Sequence, residues 1–244
     1  MKPVMKSAWL ILGASSAIAR AFARRVATSG ADILLVARDG EDANALAADL
    51  ALRGSPSCRA IGFDCDVAAA FKEFAQGSVP NVFLAFGTMP SQSEIDADPG
   101  ALAQTLDVNF AAPVALLHRL MPVLEATPGG AIVALGSVAG DRGRLKNYVY
   151  GAAKAGLHAY LQGLRARGVR LGVHVVTVKP GFVDTAMTWG LPGMFLVASP
   201  DAIAAACLGA IAKKRDTIYA PFFWWGIMTI IRHIPERIFK KLNI

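Results

Sequence analysis

The stretch Ala8-Trp9-Leu10-Ile11-Leu12-Gly13-Ala14-Ser15-Ser16-Ala17-Ile18-Ala19 decides how the rest of the chain is read. Five apolar residues in succession predict a strand buried on both faces, because a half-exposed strand would alternate. Glycine ends the run and small residues open a helix at once. Such a strand-turn-helix lets bare backbone approach a pyrophosphate and aims helix N-terminal amides at it. Taken alone, the turn serves packing as readily as anion binding. Lys2 and Lys6 ahead of the apolar run imitate a signal peptide. The run is short, however, and glycine and serines follow directly, so a first buried strand is expected.

Outward from this turn, further apolar runs occur at residues 33–36, 82–86, 131–135 and 173–178. Between them, segments with helical spacing cover residues 16–28, 41–53, 68–76, 99–124, 148–167 and 200–213. Strands alternating with helix-length crossovers require a parallel sheet covered on both faces. The expected fold is therefore α/β, a doubly wound Rossmann-type parallel sheet in a single domain. The clusters Pro128-Gly129-Gly130, Pro180-Gly181 and Pro192-Gly193 fall between elements, and no linker or repeat interrupts them. Residues 1–221 read as a dinucleotide-binding catalytic domain, and 222–244 as a hydrophobic, basic tail of the same domain.

Composition narrows the function. With 54% hydrophobic and 18% charged residues in 244, the chain suits a substantial core. Residues 213–244 hold seven Lys and Arg against two acids, which is most of the net charge of +7. Charge gathered at one end argues against a broad nucleic-acid face, so no nucleic-acid partner is expected. Cys58, Cys65 and Cys207 are odd in number and lack metal-ligand spacing, so neither a disulfide framework nor a metal site is expected and a cytoplasmic setting fits. The apolar stretch Ala220 to Ile231 is shorter than the ~20 residues that span a bilayer, and no transmembrane helix is expected.

The second strand ends at Arg38 without the acid that would hold the ribose 2'-hydroxyl of NAD. A guanidinium there pairs with a 2'-phosphate, which favours NADP(H) over NAD(H); the alternative is a solvated flanking arginine. Tyr150 and Lys154 stand one helical turn apart on one face, an arrangement in which an ammonium stabilises phenolate. Ser137 follows the strand 131–135 and Asn109 lies in the helix after the fourth strand, both near the carboxyl-end crevice of an open sheet. Tyr148 is the rival phenol, but position 152 is alanine, so packing or substrate contact is its expected role.

Gly13-Ala-Ser-Ser-Ala-Ile-Ala, Asn109, Ser137 and Tyr150-x-x-x-Lys154 together resemble the motif set of the short-chain dehydrogenase/reductase family over nearly the whole chain. The resemblance implies that Tyr150 is general acid/base, that Lys154 lowers its pKa and holds the nicotinamide ribose, that Ser137 orients the substrate oxygen and that Asn109 supports a proton-relay water. It further implies cofactor contacts from Gly13, Ser15, Ser16, Ile18, Arg38 and Gly87, and from the segment Pro180, Gly181, Val183 and Thr185. Asp64 resembles the family's adenine-contacting acid, with Asp66 a close competitor. Ala17 and Ala19 stand where the family has glycine, and Leu84-Ala85-Phe86-Gly87 replaces its Asn-Asn-Ala-Gly.

Ser137-Val-Ala-Gly-Asp-Arg-Gly, Tyr148-Val-Tyr-Gly-Ala-Ala-Lys, Lys179-Pro-Gly-Phe-Val-Asp-Thr and Pro221-Phe-Phe-Trp-Trp resemble more narrowly the subgroup of reductases similar to decaprenylphosphoryl-2-keto-erythro-pentose reductase. That likeness implies a keto-sugar on a polyprenyl phosphate as substrate. Aromatics at 222–225, with Arg232, Arg237, Lys240 and Lys241 behind them, suit a bilayer interface and a peripheral membrane contact. The alternative is a tail folded on the core or on a partner subunit of a homo-oligomer. The loop Ala186 to Ser199, with Met187, Trp189, Met194 and Phe195, is expected to close over the substrate. Rival functions are a soluble 3-oxoacyl or steroid-type carbonyl reductase and a non-catalytic dinucleotide-binding protein.

Overall fold

The computed structural model describes residues 6–190 and 193–242. Lys2, Pro192 and the last two tail residues of the sequence reading lie outside them.

β1 (Lys6–Leu12) is followed by α1 (Ala17–Ala27), β2 (Asp32–Val36), α2 (Gly40–Leu52), β3 (Cys58–Ile61), α3 (Val67–Phe74) and β4 (Ser78–Leu84). α4 (Gln92–Ala97), α5 (Pro99–Leu106), a π-helical turn (Asp107–Ala111) and α6 (Ala112–Ala126) then lead to β5 (Ala131–Leu135). A 3-10 turn (Val138–Asp141) precedes α7 (Tyr148–Leu171) and β6 (His174–Pro180), and α8 (Pro200–Ala212) leads to β7 (Thr217–Ala220). The tail forms α9 (Phe223–His233) and α10 (Glu236–Phe239).

All seven strands are parallel, in the order β3-β2-β1-β4-β5-β6-β7. The fold is thus the doubly wound Rossmann-type sheet that the alternation predicts. Chain order reverses between β1 and β4, which is where an open α/β sheet leaves a crevice for ligands. Central strands are buried on both faces: Leu10, Ile11 and Leu12 of β1, Val82, Phe83 and Leu84 of β4, and Ile132, Val133 and Ala134 of β5 are fully enclosed. One core layer packs α1, α2 and α8 on the sheet around the stacked Phe22–Phe83 pair. The opposite layer packs α3, α6 and α7 around Phe71, Leu120 and Leu161.

The helix expected at 99–124 is broken at its middle. Asn109 donates to the Thr105 carbonyl at 2.9 Å, inserting a side chain into the ladder where the helix opens into a π turn. The whole stretch Pro99–Ala126 is long and apolar enough to cross a membrane by length and composition, a segment longer than the 220–231 run weighed in the sequence. Only 22% of its apolar window is buried, but Leu117, Leu120, Met121 and Leu124 pack in the sheet's core layer and Asn109 is fully enclosed, so one face of the stretch lies on the sheet.

Candidate active site

Gly13 adopts φ +85°, a conformation that a side chain strongly disfavours, and a Cβ there would lie 2.8 Å from Phe86. Its amide and that of Ala14 both donate to the Val36 carbonyl at 3.0 Å, tying the turn to the end of β2. Ser16 caps α1 without a side-chain bond to the helix, and no acid occupies the first turn. That leaves the N-terminal amides and two serines, Ser15 exposed and Ser16 partly so, facing the crevice mouth without a competing carboxylate. Ile18 and Ala19 are buried in the core under the turn. Ala17 lines a recess of about 340 Å³ with Arg20, Arg24 and Pro200, between α1 and α8. Of the two methyl groups that replace family glycines, that of Ala19 lies in the core packing and that of Ala17 lines the recess between α1 and α8.

Arg38 is exposed at the end of β2 and makes no ion pair among the described residues. Of the competing acids, Asp66 is occupied: it caps α3 by accepting from Ala68 and Ala69 at 3.1 Å and pairs with Arg119 at 2.8 Å. Asp64 is exposed and takes no such role. Beside it Phe63 meets Phe86 edge to face, ring centres 5.5 Å apart, an aromatic wall that the sequence reading did not identify. Phe86, which stands where the family has alanine, thus supports Gly13 from behind and joins this wall.

On the other side of the crevice, four polar side chains converge. Asn109 is fully buried; its amide donates to the carbonyls of Thr88 and Thr105 at 2.8 and 2.9 Å, and its oxygen accepts from the Thr88 amide at 3.3 Å. A Cβ on Gly87 would lie 2.8 Å from the Asn109 oxygen and 3.5 Å from Lys154 Nζ, so glycine is what lets these groups meet. Lys154 is buried, donates to the Leu135 carbonyl at 3.4 Å, and has its Nζ 5.7 Å from the centre of the Tyr150 ring. Ser137 starts the 3-10 turn, its hydroxyl accepting from Ala139 at 3.1 Å. A recess of about 390 Å³ lined by Gly87, Thr88, Met89, Glu94, Ala186 and Met187 opens beside them.

Burial sets the electrostatics. It drives the Tyr150 phenol up to about 12, opposed by the hydrogen bond with the Ser137 side chain and by the positive charge of Arg144. The same burial drives Lys154 down to about 8. Arg144, which has no regular spacing from Tyr150, is thus a second cation acting on the phenol. Arg144 lies in the loop feeding α7, its Nε is buried without a partner, and burial lowers its pKa. Tyr148 is 45% exposed and donates to Asp96 at 2.6 Å, so the rival phenol faces α4 and solvent.

Pro180 and Gly181 lie at the end of β6, and a Cβ on Gly181 would meet Trp224 of α9 at 1.9 Å. Val183 is buried and bridges Ala198, closing the base of the loop that carries Thr185 and Met187. Phe182, Phe195 and Trp224 form an aromatic triad with centres 5.5 to 5.7 Å apart, joining that loop to the tail. Arg142 then clamps the tail. Its guanidinium donates to the carbonyls of Ile231, Arg232 and Ile234 at 2.6 to 3.1 Å, pairs with Glu236 and lies 3.8 Å over the Phe239 ring. The tail folded on the core, one of the two alternatives left by the sequence, is what its inner face does, with Trp224 and Met228 buried. Its outer face leaves Phe222, Trp225, Ile230 and Ile238 more than half exposed.

A switch-point crevice with a glycine turn on one wall and Asn, Ser, Tyr and Lys on the other defines a nicotinamide-dinucleotide oxidoreductase. The model of the short chain dehydrogenase family matches residues 7–193, and the chain belongs to that family. It is 30% identical over 239 residues to an oxidoreductase of Mycobacterium tuberculosis, covering 96% of each chain, and 31% identical over 243 residues to one of Streptomyces coelicolor, covering 96% of this chain and 95% of that one. Among solved structures it is similar to a short-chain dehydrogenase from Sphingobium yanoikuyae in complex with NADPH, with TM-score 0.78, 25% identity and coverage of 94% and 97%.

Proposed function

We propose that this protein reduces a keto group with NADPH, Tyr150 delivering the proton to the carbonyl oxygen. The observation that carries the reading is the meeting of Asn109 and Lys154 at Gly87, with the Tyr150 ring 5.7 Å from the Lys154 Nζ and the Ser137 side chain hydrogen-bonded to that phenol. When bound, the nicotinamide supplies the hydride. Ser137 and Tyr150 both donate to the substrate oxygen, and the phenol gives up its proton as negative charge develops there. Lys154 anchors the nicotinamide ribose and Asn109 holds a relay water, while Arg144 steadies the phenolate. Gly13, Ser15, Ser16 and Ile18 form the pyrophosphate end, Asp64 meets the adenine, and Gly87, Pro180, Gly181, Val183 and Thr185 flank the nicotinamide. Arg38, exposed and without a salt-bridge partner among the described residues, suits the extra phosphate of NADPH. A dinucleotide sensor would have no use for the buried proton machinery.

The substrate class is a keto-sugar carried on a polyprenyl phosphate, met at the inner face of the membrane. Support comes from the outer face of the tail, where exposed aromatics adjoin Arg237, Lys240 and Lys241, and from the exposed Trp189, Phe195 and Leu196 on the loop over the recess. Each interfacial cation contributes ~1 kcal/mol near an anionic surface, so binding is reversible and falls with salt. The test follows NADPH consumption with polyprenyl-phosphate keto-sugars beside 3-oxoacyl and steroid ketones, and sedimentation with anionic vesicles. Turnover confined to the lipid-linked sugars, with salt-sensitive vesicle binding lost on removal of 222–244, supports the reading. A preference for acyl or steroid ketones, or a tail whose removal dissociates an oligomer without changing vesicle binding, gives the soluble reductase instead.

A further inference from the structure

The ring of His158 is wedged between the two glycines that bracket Ser137. A Cβ on Gly136 would lie 2.3 Å from His158 Nε2, and one on Gly140 would lie 2.7 Å from Cε1. Between them the Ser137 amide donates to His158 Nε2 at 3.4 Å. No catalytic role reaches this histidine, since it sits one turn beyond Lys154 on the buried side of α7, only 5% exposed.

We propose that His158 is the positioning residue for Ser137: a neutral imidazole that accepts the serine's backbone N–H and fixes the turn from which its hydroxyl reaches the substrate oxygen. The inference rests on the reductase reading only in giving Ser137 that target. Every other polar group of Ser137 is already committed. Its carbonyl accepts from Gly140 at 3.1 Å, and its hydroxyl oxygen accepts from Ala139 at 3.1 Å. The hydroxyl proton is what remains, and it meets the Tyr150 phenol, the group beside which a substrate oxygen would sit. An imidazole that accepts at Nε2 must carry its hydrogen on Nδ1. That edge faces the Asp141 carboxylate at 3.8 Å, which itself accepts from Lys179 and the Tyr219 hydroxyl, both at 2.6 Å.

The surroundings keep the ring neutral. Burial lowers its pKa to about 3, Lys179 and Lys154 repel a proton, and Asp141 alone favours one. A charged imidazole would lose the lone pair the serine amide needs.

Nitrogen-15 NMR of the wild-type histidine side chains, with His158 assigned by its loss in His158→Gln, tests this without substrate. The expected spectrum has His158 protonated on Nδ1 alone and unchanged from about pH 5 to 9. Protonation on Nε2, or titration near the ordinary histidine value of ~6.5, overturns the proposal. Two variants extend it to function. His158→Leu should speed hydrogen exchange at the Ser137 amide and lower kcat by about tenfold with the KM for NADPH unchanged. In His158→Gln, whose side-chain carbonyl can accept the same N–H, both should recover most of the way. Leu and Gln variants that behave alike would contradict it. Failure of every ketone to turn over counts against the reductase reading alone, because tautomer and amide exchange need no turnover.

Discussion

The wall around Tyr150 and the rim formed by the 183–198 loop and the tail are neighbours built on opposite principles. In the wall nearly every polar group is enclosed and committed: Asn109, Lys154 and His158 are buried, and each has protein partners at hydrogen-bonding distance. In the rim the large side chains stand in solvent, with Trp189 86% and Phe222 72% exposed. The fold fixes the first through the sheet and α7; Arg142, one aromatic triad and the Val183–Ala198 bridge fix the second. On the proposed function, chemistry belongs to the wall and the choice of substrate to the rim.

The sharpest way to break this contrast lies with the two phenols. Tyr150→Phe should cost ~10²- to 10⁴-fold in kcat while leaving NADPH binding intact, because only the proton donor is removed. Tyr148→Phe, which loses one exposed bond to Asp96, should change kcat little in the same steady-state assay. A reversed order would place the acid at Tyr148, on the exposed side facing α4.

Next in size is a pH effect confined to the wall. His158 has a folded pKa near 3 against 6.5 unfolded, so the unfolded chain binds the extra proton between those values. Stability is then fully present above about pH 6.5 and is lost as pH falls towards 3, by on the order of a few kcal/mol. Urea midpoints measured across that window should fall more steeply for the wild type than for His158→Gln. Parallel curves would mean that the ring is not neutral and enclosed as described.

Arg38→Ala should weaken NADPH by roughly 10- to 100-fold and leave NADH untouched, as expected for one charge-assisted contact with a 2'-phosphate. Equal loss for both cofactors in a fluorescence titration would remove Arg38 from specificity. The smallest effect is expected at the clamp. Arg142→Ala should lower stability by about 1–3 kcal/mol through the unpaired carbonyls of α9, and render Arg232 and Arg237 accessible to trypsin. If cleavage there is unchanged, the rim does not depend on Arg142.

Much of this was legible because it follows from burial patterns. Runs such as Leu10 to Leu12 and Ile132 to Ala134 are enclosed on both faces, and their apolarity announces it. The edge strands β3 and β7 were not found as apolar runs, since an edge strand needs no such run: Arg59 in β3 and Thr217 in β7 are exposed. Tyr150 and Lys154 could be paired from helical spacing alone. Arg144 and His158 could not, because their effects depend on a loop and a packing contact that bring together residues with no regular spacing. The tail reads in the sequence as one hydrophobic, basic stretch, whereas in the structure Arg142, ninety residues earlier in the chain, holds its inner face to the core.

The most direct test of the central claim is to follow the reduced carbon. NADPH deuterated at the transferring position, incubated with a polyprenyl-phosphate keto-sugar and wild-type protein, should give an alcohol carrying one deuterium on the former carbonyl carbon. Mass spectrometry reads the label. Its appearance with wild type and its near absence with Tyr150→Phe is the predicted result; unlabelled alcohol, or undiminished labelling in Tyr150→Phe, would contradict the account.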